Sequence, residues 1–169
     1  MEKAPIKKFA VEARRKLIAD VTFQLERYGI TEKGIVEPQT STDKELVFDL
    51  GNGNVQTIRG VRAVNQYKNL AAHVRGFYTA DEPKKELEQF IEEIAYTWFN
   101  RLIAIRYMQE HALLPITQRP LPDAPGAQPR LISEAQDVSL PGVDMGRVLD
   151  MLDANRTDAL YKYLLIALC

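Results

Sequence analysis

Apolar side chains set the first period in the chain. Ile6, Ala10, Ala13, Leu17, Val21 and Tyr28 recur at steps of three, four or seven. That spacing predicts one stripe of an amphipathic helix, stopped near Gly29. The period then changes. In "LVFDLGNGNVQTI", residues 46–58, two short strand-like runs flank Gly-Asn-Gly-Asn, and such a turn predicts a β-hairpin. A helical period returns from Val61 to Tyr78, with Val64, Tyr67, Ala71, Val74 and Tyr78 on one side. A third helix is expected from Pro83 to His111. Thr79 or Asp81 can cap its start, and Asp81 and Glu82 suit its positive end. Its stripe is Leu87, Phe90, Ile91, Ile94, Ala95, Trp98, Phe99, Leu102, Ile103 and Ile105. An arc this wide predicts a helix buried by several neighbours.

The remainder is irregular at first. "LLPITQRPLPDAPGAQPR" holds five of the nine prolines and is expected to be an extended connector. "LISEAQDV" suits a short helical turn, and "PGVDMGRVLDML" a helix capped at Asp144. The last stretch, "RTDALYKYLLIALC", is strongly apolar and ends without glycine, proline or a polar tail. It suggests a chain cut from something longer; the other reading is a terminal helix packed into the core. The expected fold is mainly α, a helical bundle-like domain with a small β-hairpin inserted between the first two helices. Residues 1–111 form a helical region, 112–129 a proline-rich connector, and 130–169 a set of C-terminal helices.

Composition narrows the function classes. The chain has 169 residues, 46% hydrophobic and 27% charged, with a net charge of −1, an ordinary globular profile. Any nucleic-acid contact must therefore come from a local patch. Cys169 is the single cysteine, so no disulfide framework is expected. No window reaches the ~18 apolar residues of a membrane span, and the first residues carry charges throughout. A cytoplasmic protein without a membrane partner is expected.

Four sets of side chains could carry chemistry. At 100 degrees per residue, Arg101 and Arg106 fall inside the apolar arc of the third helix. A buried guanidinium needs a partner. That partner is either a carboxylate such as Glu12 or Glu86, with a snorkelling head at the rim as a variant, or a phosphate or cofactor anion. Basic residues form the second set. Lys3, Lys7, Lys8, Arg14, Arg15 and Lys16 stand against Glu2 and Glu12, and Arg59, Arg62, Lys68, His73 and Arg75 follow with no acid between them. Positive faces of this kind contact phosphate backbones without reading sequence, although a solvated helix face is the plainer alternative. From these, Lys7, Lys8, Arg14, Arg15, Lys16, Arg59, Arg62 and Arg75 are the candidate DNA-backbone contacts. His73 and His111 lack further ligands at metal spacing, and no nucleophile with a nearby base is visible. "LGNGN", residues 50–54, lacks the lysine of a phosphate loop, and a hairpin explains it better.

"IEEIAYTWFNRLIAIRYMQEHALLP", residues 91–115, resembles a segment ahead of the catalytic domain in the PglX family, large adenine-specific DNA methyltransferases of BREX phage-exclusion systems. "KKFAVEARRKLI", residues 7–18, resembles the start of those proteins, and "LYKYLLIALC", residues 160–169, a helix leading toward their methyltransferase core. Related segments precede the methyltransferase part of some restriction-modification enzymes. The resemblance implies an S-adenosylmethionine-dependent parent enzyme that flips an adenine from duplex DNA beside an Asn/Asp-Pro-Pro-Tyr/Phe motif. That motif and the glycine-rich cofactor loop are not in these residues. The resemblance therefore assigns no catalytic, cofactor or metal residue here, and the chain alone is not expected to be an enzyme. It implies an accessory helical region that positions DNA, with double-stranded DNA as partner through the parent enzyme. The alternatives are a module docking that enzyme to other phage-defence proteins, or an independent small helical protein.

Overall fold

The computed structural model describes the backbone of residues 3–169 and the side chains of residues 8–169. It is mainly α, with a small strand region, and divides into two compact units, Met1–Phe99 and Asn100–Cys169. The division falls inside the third helix.

In the first unit, α1 (Lys3–Arg27) ends where Gly29 takes a φ of 75°. A Cβ there would lie 2.9 Å from the Cβ of Val36, so the helix stop needs glycine on both conformational and steric grounds. A short ribbon follows, β1 (Ile30–Thr31) antiparallel to β2 (Gly34–Ile35). Then β3 (Thr40–Ser41), β4 (Glu45–Asp49) and β5 (Val55–Arg59) form an antiparallel sheet in the order β3-β4-β5. The expected hairpin is the β4–β5 pair, in register Leu46 with Ile58 and Phe48 with Gln56. Gly51, Asn52 and Gly53 all have positive φ, which explains the Gly-Asn-Gly run. Asp49 Oδ1 accepts from the Gly51 amide at 2.9 Å and tightens the turn. The strands β1, β2 and β3 are additions to the sequence expectation; each is two residues long, too short for an alternation to show.

Helix α2 (Val61–Arg75) buries the expected Val64, Tyr67, Ala71 and Val74. It stops three residues before Tyr78, and Phe77–Thr79 form a 3-10 turn. That turn aims the Tyr78 hydroxyl at the Thr31 carbonyl, 2.5 Å away. Tyr67 donates to the Tyr28 carbonyl at 3.1 Å, and its ring meets Phe48 edge-on at 5.0 Å. Burial, assisted by Glu37, pushes the Tyr67 phenol up to about 12, while Arg75 pulls the other way. The two tyrosines thus tie the ribbon and the end of α1 to α2. The core around them is Leu25, Ile30, Leu46, Phe48, Ile58, Val64, Ala71, Val74, Leu87 and Ile91.

Helix α3 (Pro83–Glu110) is the long helix that the stripe predicts, but its arc is not buried all round. Leu87, Ile91, Ala95 and Ile105 are buried, Phe90, Ile94, Trp98, Phe99 and Leu102 are half-buried, and Ile103 is exposed. In the first unit, Leu87 and Ile91 of α3 belong to the core and Phe90 packs against it, and Ala95 one turn further on is buried as well.

The second unit has its own core of Leu131, Ala135, Val138, Leu140, Val148, Met151, Leu160 and Leu164. Around it lie α4 (Arg130–Ser133), α5 (Met145–Asp153) and α6 (Thr157–Ala167). Asp144 caps α5, accepting from the Arg147 amide at 3.2 Å. The apolar run after Ala159 forms most of α6, and Leu160 and Leu164 are fully buried in this core. Among the described residues no helix is long and apolar enough to cross a membrane.

Candidate nucleic-acid interface and the arginines of the third helix

Of the eight candidate DNA-backbone contacts, half are already engaged in ion pairs among the described residues. The Lys7 side chain lies outside the described residues. Lys8 stands 3.9 Å from Glu12 on the next turn of α1. Arg14 Nη2 donates to Glu92 of α3 at 2.9 Å. Arg59 Nε donates to Glu45 across the hairpin at 2.8 Å. Arg75 pairs with Glu37, which lies between β2 and β3, and Lys68 lies 3.6 Å from Asp43. Lys8 pairs within α1, whereas Arg14, Arg59, Lys68 and Arg75 each reach a carboxylate on another segment and so hold loops, strands and helices to one another. His73 packs on rings instead, 5.2 Å from Phe77 and 5.4 Å from Phe90.

Three cations remain. Arg15, Lys16 and Arg62 are exposed and, among the described residues, outside every ion pair. Arg62 lies in the first turn of α2, where Gly60 supplies no side-chain cap and no acid is present. Unfilled amides at a helix start attract anions, and Arg62 adds to that field. The chemistry on offer from these three residues is attraction for phosphate. Among the described residues no group of His, Cys, Asp and Glu could hold a metal.

The arginines of α3 need a correction. Arg101 is exposed, not buried. The arc that it was expected to share is only partly covered, so the residue lies at the surface. Arg106 is half-buried, with 40% of its side chain exposed. Its partners are neither Glu12 nor Glu86. Nη2 donates to the Pro122 carbonyl at 2.8 Å, and Nη1 to Glu110 at 3.2 Å. Arg119 Nη2 meets the same Glu110 oxygen at 2.7 Å, and its Nε lies 2.5 Å from Asp123.

Arg106 belongs to a clamp on the proline-rich segment. That segment is irregular but not a free connector, since Gln118 and Pro120 are buried. Prolines donate nothing, yet their carbonyls still need donors when buried. Four consecutive carbonyls find them. The Leu131 amide donates to Arg119 at 3.0 Å, the Tyr161 hydroxyl to Pro120 at 3.0 Å, Gln109 Nε2 to Leu121 at 3.2 Å, and Arg106 to Pro122. Gln109 also accepts from the Leu121 amide at 2.8 Å, acting as a two-armed clasp. Burial pushes the Tyr161 phenol above its ordinary value, against the pull of Arg106. Gln109, Glu110, Arg119 and Tyr161 were not legible as a group. Their one sequence signal is a glutamine at position 109, on the apolar side of α3 next to Ile105.

Comparison with known proteins adds what the geometry lacks. The chain is 34% identical over 173 aligned residues, 97% of its length, to an adenine-specific methyltransferase PglX of Lacticaseibacillus casei (strain Zhang). It is 41% identical over 86 residues, 48% of its length, to an adenine-specific methyltransferase BrxX of Escherichia coli O9:H4 (strain HS). It spans 14% of the first relative, and its aligned part 7% of the second. No family model matches the chain. No solved structure matches it. The resemblance read from residues 91–115 thus extends along nearly the whole chain, which is homologous to one region of the PglX adenine-specific methyltransferase and, over about half its length, to one region of BrxX.

Proposed function

We propose that this chain is the N-terminal accessory region of an adenine-specific DNA methyltransferase acting in phage defence, and that it helps to position duplex DNA through phosphate contacts. The observation that carries the proposal is the 97% span of the alignment with a PglX methyltransferase. The parent enzyme uses S-adenosylmethionine; its methyl transfer is performed outside these residues. Arg15 and Lys16 on α1 and Arg62 at the start of α2 are the contacts, because their charges are exposed and uncommitted. Arg14, Arg59 and Arg75 contribute less, since each is neutralised by a carboxylate. Contacts of this kind orient a duplex and carry no sequence information.

The test is charge reversal in a full-length PglX-type methyltransferase carrying this chain. Arg15→Glu, Lys16→Glu and Arg62→Glu together are expected to lower the methylation rate at low substrate concentration, with unchanged site preference and unchanged thermal stability. Full methylation by a folded triple variant would refute the positioning role.

A further inference from the structure

We infer that a cleft in the first unit, between α1, the β1–β2 ribbon and the start of α3, docks a partner-protein segment that presents a bulky apolar side chain flanked by lysine or arginine. The cleft measures about 370 Å³, and Ile18, Leu25, Ile30, Leu87 and Ile91 line it with apolar surface. That volume falls in the range of pockets that hold a compact apolar group. Water on such a surface is poorly paired, so an apolar side chain gains by displacing it.

The rim decides the kind of occupant. Glu26, Glu32, Glu88 and Glu92 also line the cleft. Lys84 lies 3.1 Å from Glu32 and 3.8 Å from Glu88, and Arg14 holds Glu92 at 2.9 Å. Four carboxylates thus face two cations, and Glu26 makes no ion pair among the described residues. The hydrogen bond from Lys84 to Glu32, with both neighbouring carboxylates, raises the Lys84 pKa, as expected in a locally negative field. Such a rim repels phosphate and anionic lipid but attracts lysine and arginine. An apolar floor with an acid rim therefore matches a basic, amphipathic protein segment. The inference goes beyond duplex positioning, which uses residues of opposite charge.

The experiment is a fluorescence-anisotropy titration of the 169-residue chain with a labelled amphipathic helical peptide of leucine and lysine, beside the same peptide with glutamate for lysine. The lysine peptide is expected to bind saturably and more weakly as salt rises, and the glutamate peptide not to bind. Glu26→Gln with Glu88→Gln is expected to weaken binding about threefold to tenfold, as for two partly exposed charge pairs. Thr22→Trp, placed to fill the cleft, is expected to abolish it; if that variant fails to fold, the exposed glutamine pair still decides. No saturable binding at low salt would overturn the inference. So would equal binding of both peptides, or binding unaffected by the cleft variants. Sedimentation tests the remaining occupant, a second copy. Phe9 is 56% exposed beside Lys8, and a dimer dissolved by the cleft variants would also overturn the inference.

Discussion

The two compact units solve the same problem differently. The first builds regular elements and joins them with exposed ion pairs such as Arg14–Glu92 and Arg59–Glu45. The second contains no strand and threads a proline-rich segment past a small helical core. There donors converge on four consecutive carbonyls, those of residues 119–122, whereas in the first unit such long-range bonds come singly, from Tyr67 and Tyr78. The difference lies in what happens when a bond is removed. An exposed ion pair returns to water at little loss. A buried carbonyl or amide that loses its donor or acceptor stays buried and unpaired. Charge is therefore replaceable in the first unit, whose free cations can serve a partner, while polar side chains in the second are tied to the fold.

Core truncation is expected to have the largest effect and to be similar in both units. Phe48→Ala in the first and Leu160→Ala in the second, both at fully buried positions, are each expected to cost ~3–4 kcal/mol in urea unfolding. The contrast then appears with polar residues. Gln109→Ala removes both arms of the clasp on Leu121. A loss of ~2 kcal/mol or more is expected, because two backbone groups are left without partners. A loss below about 0.5 kcal/mol would show the clasp to be ornamental and erase the distinction between the units.

A smaller effect is expected at Tyr67. Its folded phenol is pushed up to about 12, above the ordinary value of 10. Above pH 10 the unfolded chain loses this proton while the folded chain keeps it. Stability is therefore fully present below pH 10 and falls as pH rises toward 12. Tyr78 and Tyr161 are shifted in the same direction, so the contribution of Tyr67 is the difference between the parent and Tyr67→Phe. The variant is expected to lose ~1 kcal/mol at neutral pH and to show a shallower alkaline decline. The smallest effect belongs to Glu92→Gln, below ~1 kcal/mol and vanishing in high salt. A larger and salt-independent loss would mean that Arg14 is structural rather than merely engaged.

What the sequence disclosed follows the length of its signals. The helices at 61–75 and 83–110 and the β4–β5 turn were legible because a period or a Gly-Asn-Gly run spans many residues. The ribbon and β3 were hidden because two-residue strands have no period. For the basic residues, charge was legible and availability was not. Nothing local tells Arg14, paired across 78 residues, from Arg15, which is unpaired. Arg106 was legible as an arginine in need of a partner. That partner included a proline carbonyl 16 residues away, which no helical period encodes.

Binding of duplex DNA by the purified 169-residue chain, followed by anisotropy across a salt series, tests the positioning role most directly. Weak binding, equal for unrelated sequences, with a log–log salt slope of about −2 to −3 is expected from three phosphate contacts. Charge reversal of Arg15, Lys16 and Arg62 should remove it. No binding at the lowest salt, or binding that survives that reversal, would contradict the role assigned to these three residues.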